Sequence, residues 1–110
     1  MRLYKEQQFL VSLPVKDTYA KKEGVDAALL GKEDGEEMIF QGAIDLLAVG
    51  ERVRIIDYKY SNSGEAALKE RYKPQLDLYK LAVAKIMKID VKTIRCSIVN
   101  IRKGFQVDMD

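Results

Sequence analysis

At 110 residues the chain is one domain at most, long enough for a single core but short for an enzyme with all of its own substrate surfaces. An apolar content of 47% beside 33% charged residues excludes a disordered tail, and no segment reads as a membrane span or a signal peptide. The net charge of +2 is unevenly spread: residues 1–51 hold six basic and ten acidic side chains, residues 52–103 thirteen and five, a balance that suits a phosphate-backbone partner or a plain solvated lysine face.

Phe9 to Val15 alternates apolar with small or polar residues and predicts a strand that ends, or lies at an edge, at Pro14. Lys16 to Glu37, with Gly24, Gly31 and Gly35 among dense charge, reads as a long loop with one helical turn around Ala27 to Leu30. Met38 to Val49 and Val53 to Tyr60 predict two further strands joined as a hairpin at Gly50-Glu51. After a turn at Ser61 to Glu65, Ala66 to Tyr72 forms a short helical segment. Pro74 then resets the chain and starts a fresh helix to about Lys88, burying Leu76, Tyr79, Val83 and Ile86 at spacings of three, four and three. Thr93 to Ile101 is a fourth strand and Gly104 to Val107 a fifth. Cys96 lies in the fourth strand and reads as a reduced, buried thiol, which fits a cytoplasmic protein and excludes a disulfide scaffold.

The informative residues are ionisable side chains inside apolar strands. Asp45 stands in Gly42-Ala43-Ile44-Asp45-Leu46, and Asp57 and Lys59 stand in Ile55-Ile56-Asp57-Tyr58-Lys59. Strand alternation puts Asp57 and Lys59 on one face and Tyr58 on the other. Lys59 accounts for one buried carboxylate as an ion pair. A second carboxylate leaves an excess negative charge that a divalent cation would neutralise. For Asp45 to meet Asp57, Val49 must pair with Val53 across a three-residue loop, Gly50-Glu51-Arg52, because a two-residue turn reverses the side-chain direction. That register sets the carboxylates about 5 Å apart at Cβ, with the Tyr58 carbonyl as a further oxygen ligand. The absence of His removes the commonest general base and zinc ligand. Gln75 and Tyr79 share a helical face. If Pro74 opens the helix, Gln75 lies in a first turn whose free N–H groups suit a phosphate, although an ordinary amphipathic helix gives the same pattern.

Taken together, Gly42-Ala43-Ile44-Asp45, Ile55-Ile56-Asp57-Tyr58-Lys59 and Tyr72-Lys73-Pro74-Gln75-Leu76-Asp77-Leu78-Tyr79 resemble the RecB-like branch of the PD-(D/E)XK nucleases. Within it they are most similar to the carboxy-terminal nuclease domain of the AddA-type subunit of AddAB helicase-nucleases. The match covers residues 38–88 firmly, and more loosely the Glu6 to Pro14 strand and the final hairpin. The resemblance implies an α+β (α/β) fold with a restriction-endonuclease-like core and a mixed sheet in the order β-β-β-α-β-β.

It further implies that Asp45 and Asp57 bind Mg²⁺ or Mn²⁺, that Lys59 activates water and stabilises charge on the phosphate, and that Gln75 and Tyr79 support the site and contact DNA. Glu6 corresponds to an acidic position common in that family. The implied partners are DNA, the rest of a helicase-nuclease polypeptide and its partner subunit, with no membrane. The chain departs from the family in two ways. Tyr60-Ser61 stands where relatives carry Thr-Asp after the lysine, and the family's amino-terminal helix, often bearing a metal-binding His, is missing, as for a truncated domain. No G-x-x-x-x-G-K-[ST] phosphate loop is present. Three readings follow: a metal-dependent DNase domain, a catalytically incomplete nuclease-fold module for DNA binding or subunit docking, and an α+β interaction domain with a structural ion-pair network.

Overall fold

The computed structural model describes residues 1–14 and 37–109; the predicted loop from Lys16, its helical turn and the last predicted residue of the first strand, Val15, lie outside the described residues. Five strands form one mixed sheet in sequential order: β1 (Arg2–Pro14), β2 (Glu37–Val49), β3 (Val53–Lys59), β4 (Ile94–Asn100) and β5 (Phe105–Asp108). All neighbours are antiparallel except β3 and β4, whose parallel pairing requires a crossover. The helix α1 (Glu65–Met87) supplies it. A 3-10 turn at Val91–Thr93, capped by the Asp90 carboxylate on the N–H of Lys92, leads into β4.

The core lies between α1 and one sheet face. Ile55, Ile94, Cys96 and Ile98 from the central strands meet Leu68, Leu76, Ala82 and Val83 of the helix, with Phe9, Val11 and Leu13 of β1 and Val107 of β5 closing the sides. Cys96, the single cysteine of the chain, is buried, as its apolar strand predicts. Among the described residues no helix is long and apolar enough to cross a membrane.

The hairpin between β2 and β3 has Val49 paired with Val53 across Gly50-Glu51-Arg52, the register that the two aspartates require. In the outer pair of strands the inward face changes side. Tyr4 packs on the core, and beyond Glu6, whose φ is 50°, the inward residues are Phe9, Val11 and Leu13. In β2 the change falls between Ile44 and Leu47, both buried, opposite Glu6. Asp45 therefore sits where β2 turns over.

Four sequence expectations need correction. The first strand begins at Arg2, well before Phe9, because residues 2–8 complete the edge of β2 through backbone pairing that needs no apolar pattern. Strand β3 stops at Lys59, one residue short of Tyr60; β4 is a residue shorter at each end than Thr93 to Ile101, and β5 runs from Phe105 to Asp108, one residue later than expected. Ile86 is 52% exposed, since the buried stripe runs from Val83 on to Met87.

The fourth correction concerns Pro74, which neither ends nor starts a helix. It lies inside one unbroken helix of 23 residues. Proline costs its own N–H bond and crowds the carbonyl four residues back. Both effects fall on the solvent side here, because Pro74 is exposed. The buried stripe Leu68, Tyr72, Leu76, Tyr79, Val83 keeps spacings of four, four, three and four straight through the proline, so packing on the sheet holds the helix together. Gln75 is thus a mid-helix residue, and free N–H groups of a first turn are not available beside it.

Candidate active site

Each element brings one part of a polar cluster to the end of the sheet. The ladder between β2 and β3 ends at the pair Leu46 and Ile56. Beyond it the two strands part, and the backbone N–H of Tyr58, no longer matched by β2, donates to Oδ2 of Asp45 at 2.8 Å. The N–H and C=O of one strand residue point to the same side. The Tyr58 carbonyl therefore faces the same gap, while its ring lies on the opposite face from Asp57, partly exposed.

Asp57 projects to the helix side and is 4% exposed. Its Oδ2 is buried with no hydrogen-bond donor aligned on it, although the Lys59 ammonium stands 3.1 Å away as an ion-pair partner. Burial pushes the Asp57 carboxyl above the usual carboxylate range; Lys59 opposes this, and the neighbouring Asp45 carboxyl adds to it. The two acids converge.

Helix α1 completes the cluster from above. The Lys59 ammonium donates to Oε1 of Gln75 at 3.5 Å and lies 4.1 Å from the centre of the Tyr72 ring. Gln75 then donates through Nε2 to the hydroxyl of Tyr79 at 3.0 Å. The ring of Tyr79 packs edge-on against Phe9, with centroids 5.5 Å apart at 78°. Gly42 makes room for this contact: a Cβ there would lie 2.9 Å from the Phe9 ring and 3.6 Å from Tyr79. The glycine three residues before Asp45 thus serves the helix side chains that hold Lys59.

Asp45, Asp57, Lys59, Gln75 and Tyr79 all come together, and Tyr58 contributes its backbone. Tyr72 was not predicted from its chemistry. Its position three residues before Gln75, on the same helical face, is the signal that marks it. Glu6 stands opposite Asp45 in the β1–β2 ladder but is exposed, and no group of three His, Cys, Asp or Glu side chains gathers for a metal among the described residues.

The donor set fits a hard divalent cation. It consists of oxygens only, from two convergent carboxylates and a backbone carbonyl, with one buried carboxylate oxygen short of a donor. Such a set matches the few protein ligands that Mg²⁺ takes while keeping water or a phosphate in its other positions.

Comparison with known proteins follows the same lines. A family model described as the PD-(D/E)XK nuclease superfamily matches residues 5–108. AddA of Desulforudis audaxviator (strain MP104C), a subunit of its ATP-dependent helicase/nuclease, is 35% identical over 92 residues, covering 80% of this chain. The chain spans 7% of the length of that relative.

Proposed function

The chain belongs to the PD-(D/E)XK nuclease superfamily, and from that premise we propose that it is a metal-dependent deoxyribonuclease domain of a helicase-nuclease acting in double-strand-break repair. The observation that carries this reading is the buried Asp57 oxygen without an aligned donor, 3.1 Å from the Lys59 ammonium and on the strand next to Asp45. The likeness to part of a helicase/nuclease supports the larger assembly, and the basic second half supports a phosphate-backbone substrate.

In this reading Asp45, Asp57 and the Tyr58 carbonyl hold Mg²⁺ or Mn²⁺. The bound cation supplies Lewis-acid stabilisation of charge at the phosphate and favours water as the nucleophile. Lys59 does two things. It orients the attacking water through its N–H donors, and its charge offsets the negative charge that grows on the phosphate oxygens during in-line displacement. Gln75 and the Tyr72 ring fix the ammonium, leaving it little freedom to swing away from Asp57. Tyr79 fixes Gln75 in turn.

The test is cleavage of linear DNA by the purified chain with Mg²⁺ or Mn²⁺, compared with Asp57→Ala and Lys59→Ala. Metal-dependent cleavage abolished by both changes supports the reading. Salt-sensitive DNA binding without any metal-dependent cleavage would replace it with the incomplete, DNA-binding module.

A further inference from the structure

We propose that Tyr60 and Arg102 form a subsite for an unpaired base and its phosphate, so that the domain grips single-stranded DNA beside the reacting position. The proposal rests on the nuclease reading for its substrate but on separate residues for its evidence.

Tyr60 directly follows Lys59 and is 71% exposed, so its ring contributes little to the core. An exposed ring of this size at a strand end normally samples several rotamers. This one has a partner: Arg102 donates through Nη1 to the Tyr60 hydroxyl at 3.1 Å, and its guanidinium carbon lies 5.3 Å from the ring centre. One face of an aromatic ring beside a delocalised cation is the pairing that single-strand binders use, the ring to stack a base and the guanidinium to meet the phosphate.

The two residues come from different loops, and a buried side chain joins those loops. Asn100 is fully buried. Its Nδ2 donates to the carbonyls of Ser61 at 3.0 Å and Ser63 at 3.4 Å, on the loop that carries Tyr60. Its Oδ1 accepts from the N–H of Ser61 at 3.4 Å, Arg102 at 3.1 Å and Lys103 at 3.4 Å. Ile101 N–H also donates to the Lys59 carbonyl at 2.8 Å. One buried amide thereby ties the end of the Lys59 strand to the loop of Arg102. A surface pair held in this way needs little further ordering when a ligand arrives, which is what preorganised binding requires.

An unpaired base is favoured over a duplex because a stacked, paired base has both faces occupied by its neighbours.

The experiment is fluorescence anisotropy of the 110-residue chain with a labelled oligothymidine and with a hairpin duplex, in a chelator so that cleavage cannot intervene. Tyr60→Ala is expected to weaken single-strand binding roughly 5- to 100-fold with little change on the duplex, while Tyr60→Phe, which keeps the ring, stays within about twofold of wild type. Arg102→Ala is expected to lower the slope of log affinity against log salt by about one. Thermal melting checks that each variant is folded. If folded Tyr60→Ala binds the oligothymidine as wild type does, or wild type does not bind it, the subsite is overturned, whatever the nuclease assay gives. Tyr60-dependent binding in a chain that cleaves with neither metal would instead uphold the subsite and sink the nuclease reading.

Discussion

The carboxylate of Asp45 holds the backbone N–H of Tyr58 at 2.8 Å, just past the last paired rung of β2 and β3. Asp45 therefore has a structural duty and a negative charge, and the two can be separated. Asp45→Asn keeps an oxygen that accepts the N–H but loses the charge. It is expected to fold with a stability within about 1 kcal/mol of wild type and to lose Mn²⁺ binding in calorimetry. Asp45→Ala also removes the acceptor of the N–H, an exposed bond, and is expected to be less stable by a further ~0.5–1.5 kcal/mol in urea. Equal Mn²⁺ affinity for Asp45→Asn and wild type would remove Asp45 from the metal set.

Asp57 makes a prediction about pH. Burial raises the pKa of its carboxyl, so folding favours the protonated form more than the unfolded chain does. The stability tied to that preference is fully present below the unfolded carboxylate value, about 3.9, and is lost as pH rises through the higher folded value. Asp57→Asn, always neutral, is therefore expected to melt higher than wild type at neutral pH in a chelator, with the gap closing as pH falls below about 4. Mn²⁺ should raise the melting temperature of wild type and leave that of Asp57→Asn unchanged. A gap that widens toward acid pH would reverse the sign and refute the argument.

The ring of Tyr72 sits 4.1 Å from the Lys59 ammonium. Tyr72→Leu keeps the apolar bulk and removes the π-face, a contact worth ~0.5–2 kcal/mol. Cleavage by Tyr72→Leu is expected to fall roughly 2- to 30-fold in kcat with KM little changed, and Tyr72→Phe should restore it. A Tyr72→Phe enzyme as slow as Tyr72→Leu would assign the effect to the hydroxyl instead.

Gly42 tests the support behind the site. Gly42→Ala drives a methyl into the Phe9 ring, which is already wedged against Tyr79. The expected cost is ~1–3 kcal/mol in urea. Because Tyr79 holds Gln75, kcat should fall as well; an active variant with wild-type kcat would show that Tyr79 does not transmit its position to Lys59.

The register of the central hairpin was readable from the sequence, because side chains alternate along β3 and the ladder next to the turn is regular; it stops at Leu46 and Ile56, so Asp45 and Asp57 are not the directly facing rung that was expected. Once Asp45 and Asp57 had to meet, only a three-residue loop would do, and Val49 does pair with Val53. The turnover of β2 at Asp45 was not readable, because it depends on Glu6 adopting φ 50° in a partner strand whose first half lacks an apolar pattern. The helix was misjudged at Pro74 for a related reason. Local propensity argues for a break, whereas the anchoring of Leu68 and Leu76 on the same sheet face, which overrides it, is a long-range fact. Tyr72 was legible only in part: its place on the helical face of Gln75 is a sequence fact, while the lysine that lies beneath both comes from a distant strand.

Pro74 removes one rung of α1 between Tyr72 and Gln75, the two helical residues that touch Lys59. The missing backbone bond thus falls in the same turn that meets the reactive amine. The turn that holds the amine is therefore kept in place by its packing on the sheet more than by its backbone bonds.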